Sequence, residues 1–176
     1  MASNSKICKL KISLSDIDRN HYDNLNLTVA QHPSETTERM MVRILVFCIN
    51  ARERLEFTKG LSAADEPDLW ARSLDDQLML WIDVGEPSLD RVKKASRIAN
   101  EVKVYCFNRK SVTWWEQGRE KFMQLKASFY RFEWQSIQSL AALQQRTMQL
   151  SVTITGNSAY VATELGECEV AWEQLT

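Results

Sequence analysis

Two carboxylates stand at the ends of short apolar segments: Asp68 near the start of residues 67–72, and Asp83 near the close of Leu78–Val84. Neighbouring antiparallel strands lie about 4.8 Å apart, so acids at matched positions can face one divalent cation. The chemistry this suggests is metal-assisted attack on a phosphodiester, in which a cation lets an anionic phosphate approach two carboxylates. Acids are poor strand formers, so Asp83, two residues before Gly85, needs its charge offset by a metal, a lysine or water. The plainer alternative is an ion pair with Arg91 or Lys94 from the segment that follows.

The elements that must hold these acids can be read from periodicity. Residues 6–15 and 25–31 alternate apolar and polar side chains and predict two hairpin-paired strands joined by a polar turn over 16–24. His32-Pro33-Ser34 marks a helix start, with Ser34 as N-cap and Glu35 and Glu38 in the first turn. That helix carries a stripe through Met41, Ile44, Leu45, Cys48 and Ala51 and runs to about Glu53. Three β-like segments follow, at 55–59 (stopped by Gly60), 67–72 and 78–84. Gly85 and Pro87 end the last, Ser88 caps a helix over 89–100, and 102–107 is a further strand. Such an order implies a helical crossover and a mixed sheet. Residues 111–121 and 135–143 read as helices and 125–132 as a strand; 147–155, 159–163 and 169–172 form a closing meander with a turn at Gly156-Asn157. The expected fold is α/β (α+β), a mixed β-sheet with flanking helices in one domain, 1–176. An αβββαβ core follows an N-terminal hairpin and precedes the C-terminal β-meander.

Whole-chain numbers narrow the function classes. A net charge of −1 gives no bulk support for tight nonspecific DNA binding, although a local basic stripe is compatible with it. Cys8, Cys48, Cys106 and Cys168 show no metal-ligand spacing and suit buried free thiols; with two histidines in the chain, a zinc site is not expected. Residues 1–10 lack the apolar core of a signal peptide, no run approaches membrane-spanning length, and the expected compartment is the cytoplasm.

The αβββαβ order, with an acid on the second strand and another on the third, resembles the PD-(D/E)XK (restriction-endonuclease-like) core. The resemblance implies magnesium or manganese held by Asp68 and Asp83, with a lysine two residues after the second acid; that position here is Gly85. A substitute can come from the next helix. At 100° per residue, Arg91 lies about 45° from the centre of the stripe Val92, Ala95, Ile98, Ala99 and Val102, Lys94 about 105° and Lys93 about 155°. Lys94 or Arg91 can therefore reach inward, and Lys93 faces solvent. The same phase puts Glu38 on the flank of the first helix's stripe and Glu35 further out; the first helix supplies an extra acid in some enzymes of this type.

The strings His32-Pro33-Ser34-Glu35-Thr36, Glu38-Arg39-Met40-Met41, Asp65-Glu66-Pro67, Leu80-Trp81-Ile82-Asp83, Lys93-Lys94-Ala95 and Trp114-Trp115, up to the closing Ala171-Trp172, resemble the bacterial YaeQ family over essentially the whole chain. The resemblance implies a variant of the PD-(D/E)XK core without an established reaction, and it offers Glu66 as an alternative to Asp68. Two functions follow. One is a non-catalytic module that binds nucleic acid or protein, in keeping with Gly85 and the near-neutral charge. The other is a metal-dependent nuclease with Lys94 acting on water or on the developing charge, Asp83 with Asp68 or Glu66 as ligands, and Glu38 assisting. Arg91, Arg39 and His32 complete the candidate binding groups. His32 could orient a carboxylate or act as base, or simply cap a turn. Of Trp114 and Trp115, about 100° apart on a helix, one should be core and the other edge.

Overall fold

In the computed structural model, which describes residues 4–59, 61 and 63–176, the chain folds into two compact units. The predicted strand stop at Gly60 lies outside the described residues.

The first unit runs up to Ile49 and includes Gln135–Trp172. Its strands are β1 (Lys6–Asp16), β2 (His21–Gln31), β8 (Thr147–Thr155), β9 (Ser158–Thr163) and β10 (from Gly166). β1 pairs antiparallel with β2 and parallel with β8, and β8–β9–β10 form the antiparallel meander. Alternation dictates the core. Cys8, Leu10, Ile12 and Leu14 of β1, with Met148, Leu150, Val152 and Ile154 of β8, are all buried. β2 begins at His21, four residues earlier than its apolar pattern suggests, because its first half pairs in register with β1 while its side chains stay exposed or half-buried.

Helix α1 (Thr37–Ile49) departs from expectation at both ends and in section. Its cap is Thr36, not Ser34: the Thr36 hydroxyl accepts from the Arg39 amide at 3.2 Å, and its carbonyl receives the first helical bond, from Met40. Ser34 instead closes a turn with His32, whose Nδ1 lies 2.7 Å from the Ser34 hydroxyl and accepts from the Ser34 amide. Every residue from Met40 to Cys48 is buried, so α1 is a core helix apolar nearly all round rather than a one-sided stripe. Burial without a charge partner pushes the Cys48 thiol up to about 12, leaving it an inert core group.

The second unit comprises Asn50–Trp134 and Glu173–Thr176. Here β3 (Leu55–Phe57), β4 (Leu69–Arg72) and β5 (Leu78–Val84) pair antiparallel in sequence order. Helix α2 (Leu89–Ile98) then carries the chain to β6 (Glu101–Cys106), which lies parallel to β5; β7 (Ser128–Phe132), after α3 (Ser111–Phe122), lies parallel to β6. Strand pairing within this unit is thus the one predicted for residues 55–107. One face of the sheet is closed by an apolar cluster in which Val92, Ala95 and Ala99 of the α2 segment meet Trp81, Val102, Val104 and Phe129. Trp115 belongs to that cluster, whereas Trp114 is half-buried and donates to the Pro87 carbonyl at 2.9 Å. Helix α4 (Trp134–Ala141) belongs, from Gln135 on, to the first unit. Among the described residues no helix is long and apolar enough to cross a membrane.

Candidate functional site

The β4–β5 register places the two acids side by side. Leu69 is opposite Ile82, and just before β4 the Asp68 amide donates to the Ile82 carbonyl at 3.0 Å, which brings Asp68 beside Asp83, close enough for its charge to act on that acid. Both carboxylates are buried, at 4% and 3% exposure. Each is already used. Asp68 accepts from the Val84 amide at 2.7 Å, tying the start of β4 to the end of β5. Asp83 receives a two-pronged bond from Arg91, one helical turn into α2, with Nε and Nη2 each 3.0 Å from a carboxylate oxygen.

The position of Arg91 follows from the sequence. Ser88 caps α2 by accepting from the Arg91 amide at 3.2 Å, and the buried Val92 and Ala95 fix the helix phase that aims Arg91 at the sheet. Its guanidinium lies 5.8 Å from the Trp81 ring centre and also donates to the carbonyls of Ala64 and Glu66, the latter at 2.6 Å. One arginine therefore compensates the buried acid and pins the 64–66 loop. Burial raises the Asp83 pKa above the usual carboxylate range; the Arg91 hydrogen bonds and charge pull it back, the neighbouring Asp68 charge pushes it up, and Trp81 helps hold it down. The buried Trp81 Nε1 makes no hydrogen bond of good geometry among the described residues, so its hold on the carboxylate is weak.

Of the other candidates in this unit, neither Glu66 nor Lys94 bonds to the pair. Glu66 is half-buried and turns its carboxylate toward the Lys59 amide, 3.3 Å away. Lys94 is exposed, as is Lys93, and among the described residues it makes no ion pair. Glu38, Arg39 and His32 belong to the first unit. Arg39 pairs with Glu35, at 2.6 Å. Glu35, expected to lie well away from the helix's apolar stripe, is 7% exposed and also bonded by Arg43 through Nη2 at 2.6 Å and Nε at 2.8 Å. The shift of the helix start to Thr37 explains this: Glu35 precedes the helix and folds back over it. The Glu35, Arg39, Arg43 spacing of four was a visible sign of the cluster. Among the described residues no three His, Cys, Asp or Glu side chains are grouped to hold a metal ion. With Asp83 committed to Arg91 and Asp68 to a backbone amide, the two acids do not fit a divalent cation in this arrangement.

Gly85, at the place of the motif lysine, has φ +116°, a conformation that L side chains rarely adopt, while its amide donates to the Tyr105 carbonyl at 2.8 Å. A Cβ there would meet nothing within 4 Å, so the obstacle is the backbone and not space. Gly85→Ala and Gly85→Lys should each cost about 1–3 kcal/mol in urea melts, and by similar amounts, because both bear the same strain. A much larger loss for lysine alone would mean that side-chain crowding decides.

Beside α2 opens a cleft of about 710 Å³ whose lining includes Trp81, Ala95 and Ile98, with Asp65, Asp90, Arg91, Lys94 and Arg97 also contributing. It is an apolar hollow with mixed charge, a composition common at protein-binding surfaces.

The family model described as YaeQ protein matches residues 1–172. Proteins named "Uncharacterized protein YaeQ" from Escherichia coli (strain K12) and Salmonella typhi are 38% and 37% identical over 179 aligned positions, with 99% of each chain covered. Crystal structures of YaeQ proteins match as well. That from Xanthomonas axonopodis pv. citri has a TM-score of 0.94 at 36% identity, covering 98% of both chains. That from Pseudomonas syringae has 0.93 at 34%, covering 98% of this chain and 96% of the other. Sequence likeness from end to end and the same mixed architecture in solved relatives agree: the chain belongs to the YaeQ family.

Proposed function

We propose that this chain is a non-catalytic binding module on a nuclease-like frame, and that the cleft beside α2 receives a segment of a protein partner. The reading rests on the Asp83–Arg91 pair. A hydrolase of PD-(D/E)XK type needs its second-strand and third-strand acids free to face a cation, and here the more deeply compensated one is bonded at 3.0 Å by both prongs of a guanidinium. Gly85 withholds the lysine, and Lys94 stands exposed at the cleft rather than on the acids. The exposed Ile98, at the rim of a cleft whose floor includes the edge of the largely buried Trp81, offers an apolar anchor, and the charges around them offer polar contacts, as polypeptide recognition requires.

The test is to add magnesium or manganese while following both thermal stability and cleavage of single- and double-stranded DNA and RNA. The expected result is no saturable rise in melting temperature and no metal-dependent cleavage. A stabilisation lost in Asp83→Asn would establish a metal site on the acids and overturn this reading, and cleavage lost in the same variant would establish the metal-dependent nuclease. A peptide-display selection reads the binding side: sequences held by the wild-type chain and released by Ile98→Asp support the cleft, and a selection that enriches nothing counts against it.

A further inference from the structure

We infer that the outward face of the first unit's sheet is a platform for single-stranded nucleic acid, a site separate from the cleft beside α2. Strand register assembles it. Lys9 stands between Thr28 and Thr147, and Lys11 between Asn26 and Gln149. One step on, Ser13 stands between Asn24 and Ser151; at the far end Ser15 stands between Tyr22 and Thr153, with Tyr160 opposite Thr153 on β9. Residues directly paired share a face, and their burial agrees: the even positions of β1 from 8 to 16 are buried, while Lys9, Lys11 and Ser13 are exposed.

Three properties of this face point to one kind of ligand. The first is shape. Short hydroxyl and amide side chains leave two hollows of about 550 and 290 Å³, which share Lys11, Asn26 and Gln149 in their linings. The second is charge. No acid points outward from β2, β1 or β8 in these four rows, whereas two lysines do; the outward acids, Glu167 and Glu169, lie on β10 opposite Ala162 and Tyr160. A chain of phosphates is therefore favoured along β1 and disfavoured across to β10. The third is the exposed ring of Tyr22, at 60% exposure, at the opposite end from Lys9; Tyr160, 42% exposed, lies across Thr153 from it but faces Glu169 of β10, so Tyr22 is the main stacking surface. Bases stack on such rings whatever their identity, amides and hydroxyls meet base edges, and lysines pair with phosphate. From Ser15 to Lys9 the trough runs six residues, about 20 Å at the strand rise, which suits a short single-stranded site. A neutral oligosaccharide would use the tyrosines and amides but gain little from the lysines. A duplex hides the base faces that the tyrosines would stack on.

Fluorescence anisotropy with a labelled RNA of about 12 nucleotides, within the usual single-domain site range, tests this on the full chain. The expected outcome is saturable binding that weakens with salt. Tyr22→Ala should weaken it on the order of 10-fold. Lys9→Gln/Lys11→Gln should reduce the slope of log K against log salt by about 1.4, two phosphate contacts at about 0.7 each. All three side chains are exposed, so circular dichroism melts should show the fold intact in these variants. Absence of binding at low salt, binding unchanged in both variants, or a preference for duplex or neutral oligosaccharide over the single strand would each overturn the assignment.

Discussion

Arg91→Ala is expected to lower the stability of the chain by about 3–5 kcal/mol at neutral pH, towards the lower figure because a third of the arginine side chain meets water. The loss has two parts. Asp83, whose side chain is 4% exposed, is left buried without its cationic partner, and the carbonyls of Ala64 and Glu66 lose their donor. A double-mutant cycle with Asp83→Asn separates them, since only the first part disappears with the carboxylate. The pH dependence gives a second handle. The folded pKa of Asp83 lies above its unfolded value, so the native state holds the proton more tightly. The group's favourable contribution is then complete below the unfolded pKa and falls as pH rises through the interval up to the raised folded value. Without Arg91 the hydrogen bonds and the positive charge that pull the folded value down are gone and the interval widens. Urea denaturation across mildly acid to neutral pH should therefore show the Arg91→Ala penalty growing with pH. A penalty that stays level would assign the whole effect to the loop carbonyls.

The other large effect is expected in the first unit, where Arg43→Ala should cost about 3–5 kcal/mol. Arg43 and Glu35 have side-chain exposures of 4% and 1%, and the guanidinium also holds the Ala30 carbonyl at 3.0 Å. Removing it leaves a buried carboxylate with Arg39 for a partner, and Arg39 is the more exposed of the two arginines. Replacing both members tells whether the pair stabilises or only avoids a penalty. Glu35→Leu/Arg43→Met deletes both charges at similar volume and should return to within about 2 kcal/mol of the parent, since a buried ion pair offsets little more than its own desolvation. If the double variant is as unstable as Arg43→Ala, the cluster is fixing the chain's entry into α1 through geometry that apolar side chains cannot reproduce.

What the sequence made legible was local. Alternation placed β1, β5 and the meander, and the strand order around residues 55–107 followed because short antiparallel connections leave few alternatives. The Asp68–Asp83 juxtaposition could be foreseen for the same reason, and helix phase singled out Arg91 as able to reach inward. Three things stayed hidden, each for a physical reason. Ser34 offers as good a cap as Thr36, so propensity alone could not place the start of α1, and that error of a few residues turned Glu35 from a buried partner of two arginines into a first-turn helix acid outside the apolar stripe. The first half of β2 is polar and exposed, so it has no apolar alternation to read, although its backbone pairs fully with β1. The row joining Tyr22 to Tyr160 depends on β1 lying parallel to β8 across more than a hundred residues of chain, and no local pattern carries that information.

The backbone at Gly85 has an evolutionary corollary. A chain like this one could approach the Asp-x-Lys pattern by a single substitution, but lysine at φ +116° begins by straining the fold, and Asp83 would still be held by Arg91. Releasing Asp83 first is no easier, since it strands a buried charge. Both first steps lead downhill in stability before any catalytic benefit can be selected, so the two changes stand as a ratchet that single mutations do not readily reverse.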